Sequence, residues 1–136
     1  MFEKINGYLE NRYDPTNENE EEIILRNIYN IEQGILKNKL KHDIIVYRRE
    51  DFPESLNGKV QKFLSTSVTK RGVLKKSPNV AIIVPKGSNG AYVEQIADNR
   101  FKKQREFLLN KNNSYKTIYN DNNLIVYIVE AKHESN

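Results

Sequence analysis

Ile44-Ile45-Val46-Tyr47-Arg48-Arg49 is the stretch on which the reading of this chain turns. Its apolar residues are β-branched or aromatic, which suits a pleated, half-buried strand, and two arginines stand at its end. Before it, apolar residues recur at helical spacing. After it, they come in short runs separated by polar loops that carry Gly or Pro. Helices first and many short strands after predict an α+β domain, with helices packed against an antiparallel sheet system.

Upstream, Phe2, Ile5 and Leu9, with Tyr8 beside them, predict a helix over about Phe2 to Asn11. Tyr13 to Asn19, with Pro15, is a loop. Asn17 and Asn19 each have a glutamate three residues on, Glu20 and Glu22, which marks a capped helix start. A second helix is expected to about Lys39, with Ile24, Ile28, Ile31 and Ile35 as its buried stripe. Downstream, Phe52 to Gly58 reads as loop and Lys62 to Val68 as a strand whose polar end is Ser65-Thr66-Ser67. A basic loop, Thr69 to Pro78, leads into Val80 to Val84, which Pro85 and Gly87 end. Ala91 to Ile96 and Gln104 to Leu109 are read as strands flanking a loop. Tyr115 to Tyr119 and Leu124 to Val129 form a closing hairpin around Asn120-Asp121-Asn122-Asn123.

The bulk properties set bounds. A chain of 136 residues is read as a single domain, 1–136. The apolar fraction of 38% and charged fraction of 29% suit a globular protein. Without cysteine there is no disulfide and no thiolate metal site. His42 and His133 lie too far apart in sequence to suggest a metal centre. The net charge of +4 favours an anionic ligand such as a dinucleotide without forming the dense basic stripe of a DNA binder. No run reaches the apolar length of a membrane span, and Met1-Phe2-Glu3-Lys4 does not open a signal peptide.

In Phe101 to Leu109, strand alternation puts Gln104, Glu106 and Leu108 on one face and Arg105, Phe107 and Leu109 on the other. A core strand has little use for an amide and a carboxylate side by side, because a buried carboxylate must find partners or give up its charge. A cleft has a clear use for them. Three polar sites thus stand in order at strand ends: Arg48, Ser65-Thr66-Ser67, and Gln104-x-Glu106.

That ordered set resembles the Arg, Ser-Thr-Ser, Glu signature of the bacterial mono-ADP-ribosyltransferase toxins. Ile45 to Arg49, Phe63 to Ser67, Val84 to Gly87, Gly90 to Tyr92 and Glu106 to Asn110 are similar to the family's motif-bearing strands. Ile5-Asn6-Gly7-Tyr8-Leu9 is similar to its first helix. The closest resemblance is to the Rho-modifying exoenzymes with a Q-x-E motif and to the catalytic component of iota toxin. Two features depart from that pattern. Glu10 stands where relatives often carry an NAD-contacting arginine, leaving Arg12 as the substitute, and the segment between Arg48 and Ser65 is short.

The resemblance implies an α+β fold with N-terminal helices packed on a mixed, mostly antiparallel two-sheet β core, NAD as co-substrate, no metal, and NAD glycohydrolysis as a side activity. It places Arg48, assisted by Arg49, on the diphosphate, for which a guanidinium fork is well matched. Glu106 would hold the ribose 2′-hydroxyl and stabilise the positive charge that develops on the ribose. Ser65 would orient Glu106, while Thr66 and Ser67 shape the nicotinamide side. Arg71, Lys75 and Lys76 lie on the family's phosphate–nicotinamide loop. Gln104 and Phe101 would read the acceptor, which the glutamine makes an asparagine or glutamine side chain. The implied partner is a target protein, a Rho-type GTPase among the candidates, alongside a delivery or immunity protein. The implied setting is secretion or injection, with action in the target-cell cytosol and no membrane insertion by this chain. Two alternatives stay open: the same fold modifying guanine in nucleic acid, for which no aromatic stacking platform is evident, and a non-catalytic binding domain.

Overall fold

The computed structural model describes residues 2–69, 77–92 and 106–130. Two helices come first, α1 (Phe2–Leu9) and α2 (Glu18–Leu36). Asn17 caps α2, its side-chain oxygen accepting the Glu20 N–H at 2.8 Å. Of the expected stripe, Ile24, Ile28 and Ile35 are buried and Ile31 is half-buried against them.

Glu20 ties the helices together. Its carboxylate accepts from the Tyr13 hydroxyl at 2.6 Å, the Thr16 N–H at 2.9 Å and the Lys4 ammonium at 3.2 Å. These donors, the Tyr13 hydroxyl foremost, hold its pKa down at about 2, from an ordinary 4.5. A depressed pKa means that the unfolded chain binds the proton more readily. The contribution to stability is therefore complete above about pH 4.5 and is lost as pH falls towards 2. Glu20→Gln should flatten the acid limb of a stability-versus-pH curve within that window, as urea titrations at successive pH values would show. An unchanged acid limb would mean that the cluster contributes nothing to the pH dependence.

Eight strands follow among the described residues: β1 (Ile44–Arg48), β2 (Gly58–Val60), β3 (Leu64–Ser67), β4 (Val80–Val84), β5 (Gly90–Tyr92), β6 (Glu106–Leu109), β7 (Asn113–Asn120) and β8 (Ile125–Val129). Their order is β2-β7-β8-β4-β1-β3-β6-β5, parallel only at β4–β8. The link between β1 and β3 is a single pair, Tyr47↔Ser67. All eight strands are linked in one hydrogen-bonded sheet, which that joint divides into two halves. Val46, Ile82, Val84 and Tyr127 from one half share a single buried cluster with Leu64, Phe107 and Leu109 from the other. The helices cover the opposite face of the smaller half through Ile5, Ile24, Ile28 and Ile35, which pack with Phe63 and Leu108. The expected helix-covered, mixed and mostly antiparallel β core is thus present, its two halves joined in one eight-stranded sheet.

Several boundaries differ from the sequence reading. The α2 helix stops at Leu36, not near Lys39, because Lys39 bridges Asn89 in an extended pairing. The Phe52 to Gly58 loop holds a 3₁₀ turn, Pro53–Leu56, and is followed by β2, an unforeseen edge strand paired with β7. The described part of the Ala91 to Ile96 strand starts earlier, at Gly90.

Candidate active site

The smaller half of the sheet sets the first part of the site. In the β3–β6 ladder Ser67 pairs with Glu106 and Ser65 with Leu108, so Ser65, Ser67, Glu106 and Leu108 share a face. The helices cover the Leu108 end of that face. Beyond it, at the strand end, Glu106 is half-buried, and Ser65 Oγ donates to its Oε2 at 3.3 Å. Its second oxygen, Oε1, has no hydrogen-bond partner among the described residues. A carboxylate oriented through one oxygen and open at the other is poised to take a ligand hydroxyl.

Thr66 turns to the opposite, core-facing side. Its hydroxyl donates to the Phe107 carbonyl at 2.7 Å and pins β3 to β6. Any effect of Thr66 on a ligand therefore acts through the strand it holds. Ser67 Oγ donates to the Thr69 carbonyl at 2.8 Å, turning the chain as it leaves β3. The other end of β3 is clamped by α1, where the Asn6 amide bonds the Phe63 N–H at 3.1 Å and the Phe63 carbonyl at 3.2 Å. Gly90 is required beside this strand pair, because a Cβ there would stand 2.1 Å from the Phe107 ring.

Arg48 closes the site at the end of β1. Its Nη1 donates to the Ser65 carbonyl, while Nε and Nη2 both reach Glu50 Oε1, at 2.7 and 2.5 Å. Ser65 therefore joins the two charged groups, holding Glu106 with its hydroxyl and Arg48 with its backbone. Glu50 is in turn fixed by Asn79, whose amide accepts the Glu50 N–H at 2.9 Å and donates to its carbonyl at 2.8 Å. Behind Arg48 lies the buried Tyr115. Burial pushes its phenol far above the ordinary range, and the Arg48 charge pulls the other way.

The other expected residues are spread more widely. Arg49 is exposed and its Nη1 donates to the Ser77 carbonyl at 3.0 Å. Arg12 is paired with Glu10 at 2.6 Å and makes no hydrogen bond to Arg48, Ser65 or Glu106. Arg71, Lys75, Lys76, Phe101 and Gln104 lie outside the described residues. The sequence motifs do not take in Glu50 or Asn79, and take in Asn6 only as part of the first-helix likeness, with no role assigned. Of these only Glu50, an acid two residues past a candidate arginine, carries a usable signal. No group of three or more His, Asp or Glu side chains among the described residues is placed to hold a metal ion.

The arrangement fits a dinucleotide. A guanidinium with terminal N–H groups still without an acceptor among the described residues and a half-open carboxylate, bridged by one serine, match an anionic diphosphate and a ribose hydroxyl.

Comparison with known proteins agrees. A family model described as ADP-ribosyltransferase exoenzyme matches residues 2–134. A protein of Enterococcus faecalis named NAD(+)--arginine ADP-ribosyltransferase EFV is 37% identical over 142 residues, taking in 94% of this chain. The match spans 28% of that protein's length. The structure of an ADP-ribosyltransferase from Clostridium botulinum gives a TM-score of 0.67 at 23% identity, covering 93% of this chain and 79% of that one. The ADP-ribosylating toxin of a C. perfringens binary enterotoxin, solved with NADH, gives 0.67 at 24% identity, covering 94% and 39%. These two likenesses show a shared fold.

Proposed function

This chain belongs to the ADP-ribosyltransferase exoenzyme family, and from that premise we propose that it transfers ADP-ribose from NAD to a side chain of a target protein. NAD is the co-substrate of the ADP-ribosyltransferases. The observation that carries the reading is the single-serine bridge, in which Ser65 holds Arg48 by its carbonyl and Glu106 by its hydroxyl. Arg48 takes the diphosphate. Glu106, through its open oxygen, takes the ribose 2′-hydroxyl and faces the anomeric carbon. The ribose–nicotinamide bond breaks with its electron pair leaving on the nicotinamide nitrogen. A side-chain nitrogen of the acceptor then bonds to that carbon and releases its proton. Glu106 is worth more as the ribose becomes positive than before, so it acts on the rate as well as on binding. Water in place of the acceptor gives NAD hydrolysis as the side activity. The protein acts as a secreted or injected toxin in the cytosol of the target cell.

The acceptor is assigned as an asparagine or glutamine side chain, on Gln104 two residues before Glu106. An amide pairs with an amide through one donor and one acceptor on each side. A Rho-type GTPase is the candidate target by the same motif. A second reading, an arginine acceptor, is favoured by the name of the 37%-identical E. faecalis relative. Labelled NAD offered with protein extract, nucleic acid and a free arginine analogue separates these classes.

Gln104→Ala is expected to lose transfer to the natural target while keeping most NAD hydrolysis, because its Q-x-E spacing in the sequence predicts a place on the Glu106 face, nearer the loop. Gln104→Glu should do the same to an amide acceptor and gain weak transfer to arginine analogues, whose fork a carboxylate can pair. Parallel loss of both activities would place Gln104 in the NAD site and end its role as acceptor reader. Arginine-analogue labelling by the wild type would replace the amide reading with the second one.

A further inference from the structure

We propose that Glu50 is a positioning residue for NAD binding, acting through the orientation of Arg48; the inference rests on the NAD reading of that arginine. A guanidinium carries five N–H groups in a rigid plane. Glu50 Oε1 accepts from Nε at 2.7 Å and pairs with Nη2 at 2.5 Å, along the side edge of the fork. The Ser65 carbonyl accepts from Nη1. Among the described residues, each terminal nitrogen keeps at least one N–H without an acceptor, and that pair suits two oxygens of a phosphate.

Glu50 is built to hold this pose. Its backbone is gripped on both sides by the Asn79 amide. Its side chain is only 15% exposed, and that of Arg48 20%, so solvent competes little for the pair. An unguided arginine has several rotatable bonds to freeze on meeting a phosphate, whereas one already locked at its side edge has few. The carboxylate does cancel part of the arginine's charge, so the same contact read as a latch would oppose NAD. The geometry favours orientation, because Glu50 occupies the edge that leaves the two terminal N–H groups available.

The test compares Glu50→Ala and Glu50→Gln with wild type by calorimetric titration of NAD, by KM and kcat for nicotinamide release, and by thermal melting. Glu50→Ala should weaken NAD binding about tenfold or more, as loss of a charge-assisted contact of this kind does. KM should carry that change, with kcat moving less. Glu50→Gln keeps an acceptor oxygen at the same reach and should recover much of the affinity. Should Glu50→Ala fail to fold, Glu50→Asp, whose shorter side chain withdraws the carboxylate from Arg48, takes its place and is expected to bind NAD more weakly. NAD affinity equal to wild type in Glu50→Ala, or in Glu50→Asp in its place, would overturn the proposal. So would tighter binding, which would make Glu50 a latch. Wild type that does not bind NAD at all would instead defeat the functional reading, and the two failures are distinguishable.

Discussion

Glu106→Gln is expected to slow nicotinamide release from NAD about a hundredfold to a thousandfold, the loss of about 3–4 kcal/mol typical of one preorganised group aimed at developing charge. The substitution keeps the shape and the hydrogen bond from Ser65 Oγ, since an amide oxygen accepts as a carboxylate oxygen does. It removes only the charge. Because that charge matters most as the ribose becomes positive, kcat should fall much further than NAD affinity. Glu106 sits half-buried at the end of β6 and is held by one side-chain hydrogen bond, so the melting temperature should stay near wild type. Hydrolysis at close to the wild-type rate would remove Glu106 from the site.

Arg48→Lys should weaken NAD binding about tenfold to a hundredfold, the equivalent of one or two charge-assisted hydrogen bonds. The arginine serves three partners at once in a planar fork: Nε donates to Glu50, whose same oxygen pairs with Nη2, Nη1 donates to the Ser65 carbonyl, and the remaining terminal N–H groups are left for the diphosphate. An ammonium on a flexible stem cannot reproduce that plane. It would satisfy Glu50 or the phosphate, not both, and would leave the Ser65 carbonyl without its donor. Calorimetric titration with NAD checks this. Affinity unchanged from wild type would move the diphosphate to Arg49 or to another cation.

Much of this arrangement is legible in the sequence because it is local. Val46 stands out by its place in an apolar run, and Glu106 as a carboxylate on a strand face. The helix stripe follows from spacing alone, and Asn17 from its glutamate three residues on. What cannot be read depends on contacts between distant residues. The β2 strand is three residues long, opens on Gly58 at a φ of +94°, and exists by pairing with β7. No periodicity announces so short an element. The parallel β4–β8 pairing and the single-pair joint between β1 and β3 are likewise properties of the whole sheet.

The site shows the same division. Ser65 and Glu106 come to one face by the same alternation that sets Leu108 among the helices. Thr66, by contrast, reads as a member of one polar motif yet spends its hydroxyl on the Phe107 carbonyl in the core. A three-residue polar run on a strand must send its middle residue to the other side. The grips of Asn6 and Asn79 are hidden in the sequence for another reason. Each grips the backbone of a residue far along the chain, Phe63 and Glu50, and a lone asparagine carries no sequence mark of such a grip.

The most direct measurement is mass spectrometry of target-cell proteins incubated with this protein and NAD, with the Glu106→Gln variant alongside. An ADP-ribose adduct on a protein side chain, formed by the wild type and absent with the variant, is the predicted result. An adduct found only on nucleic acid, or NAD left intact with no adduct on any macromolecule, would contradict the account.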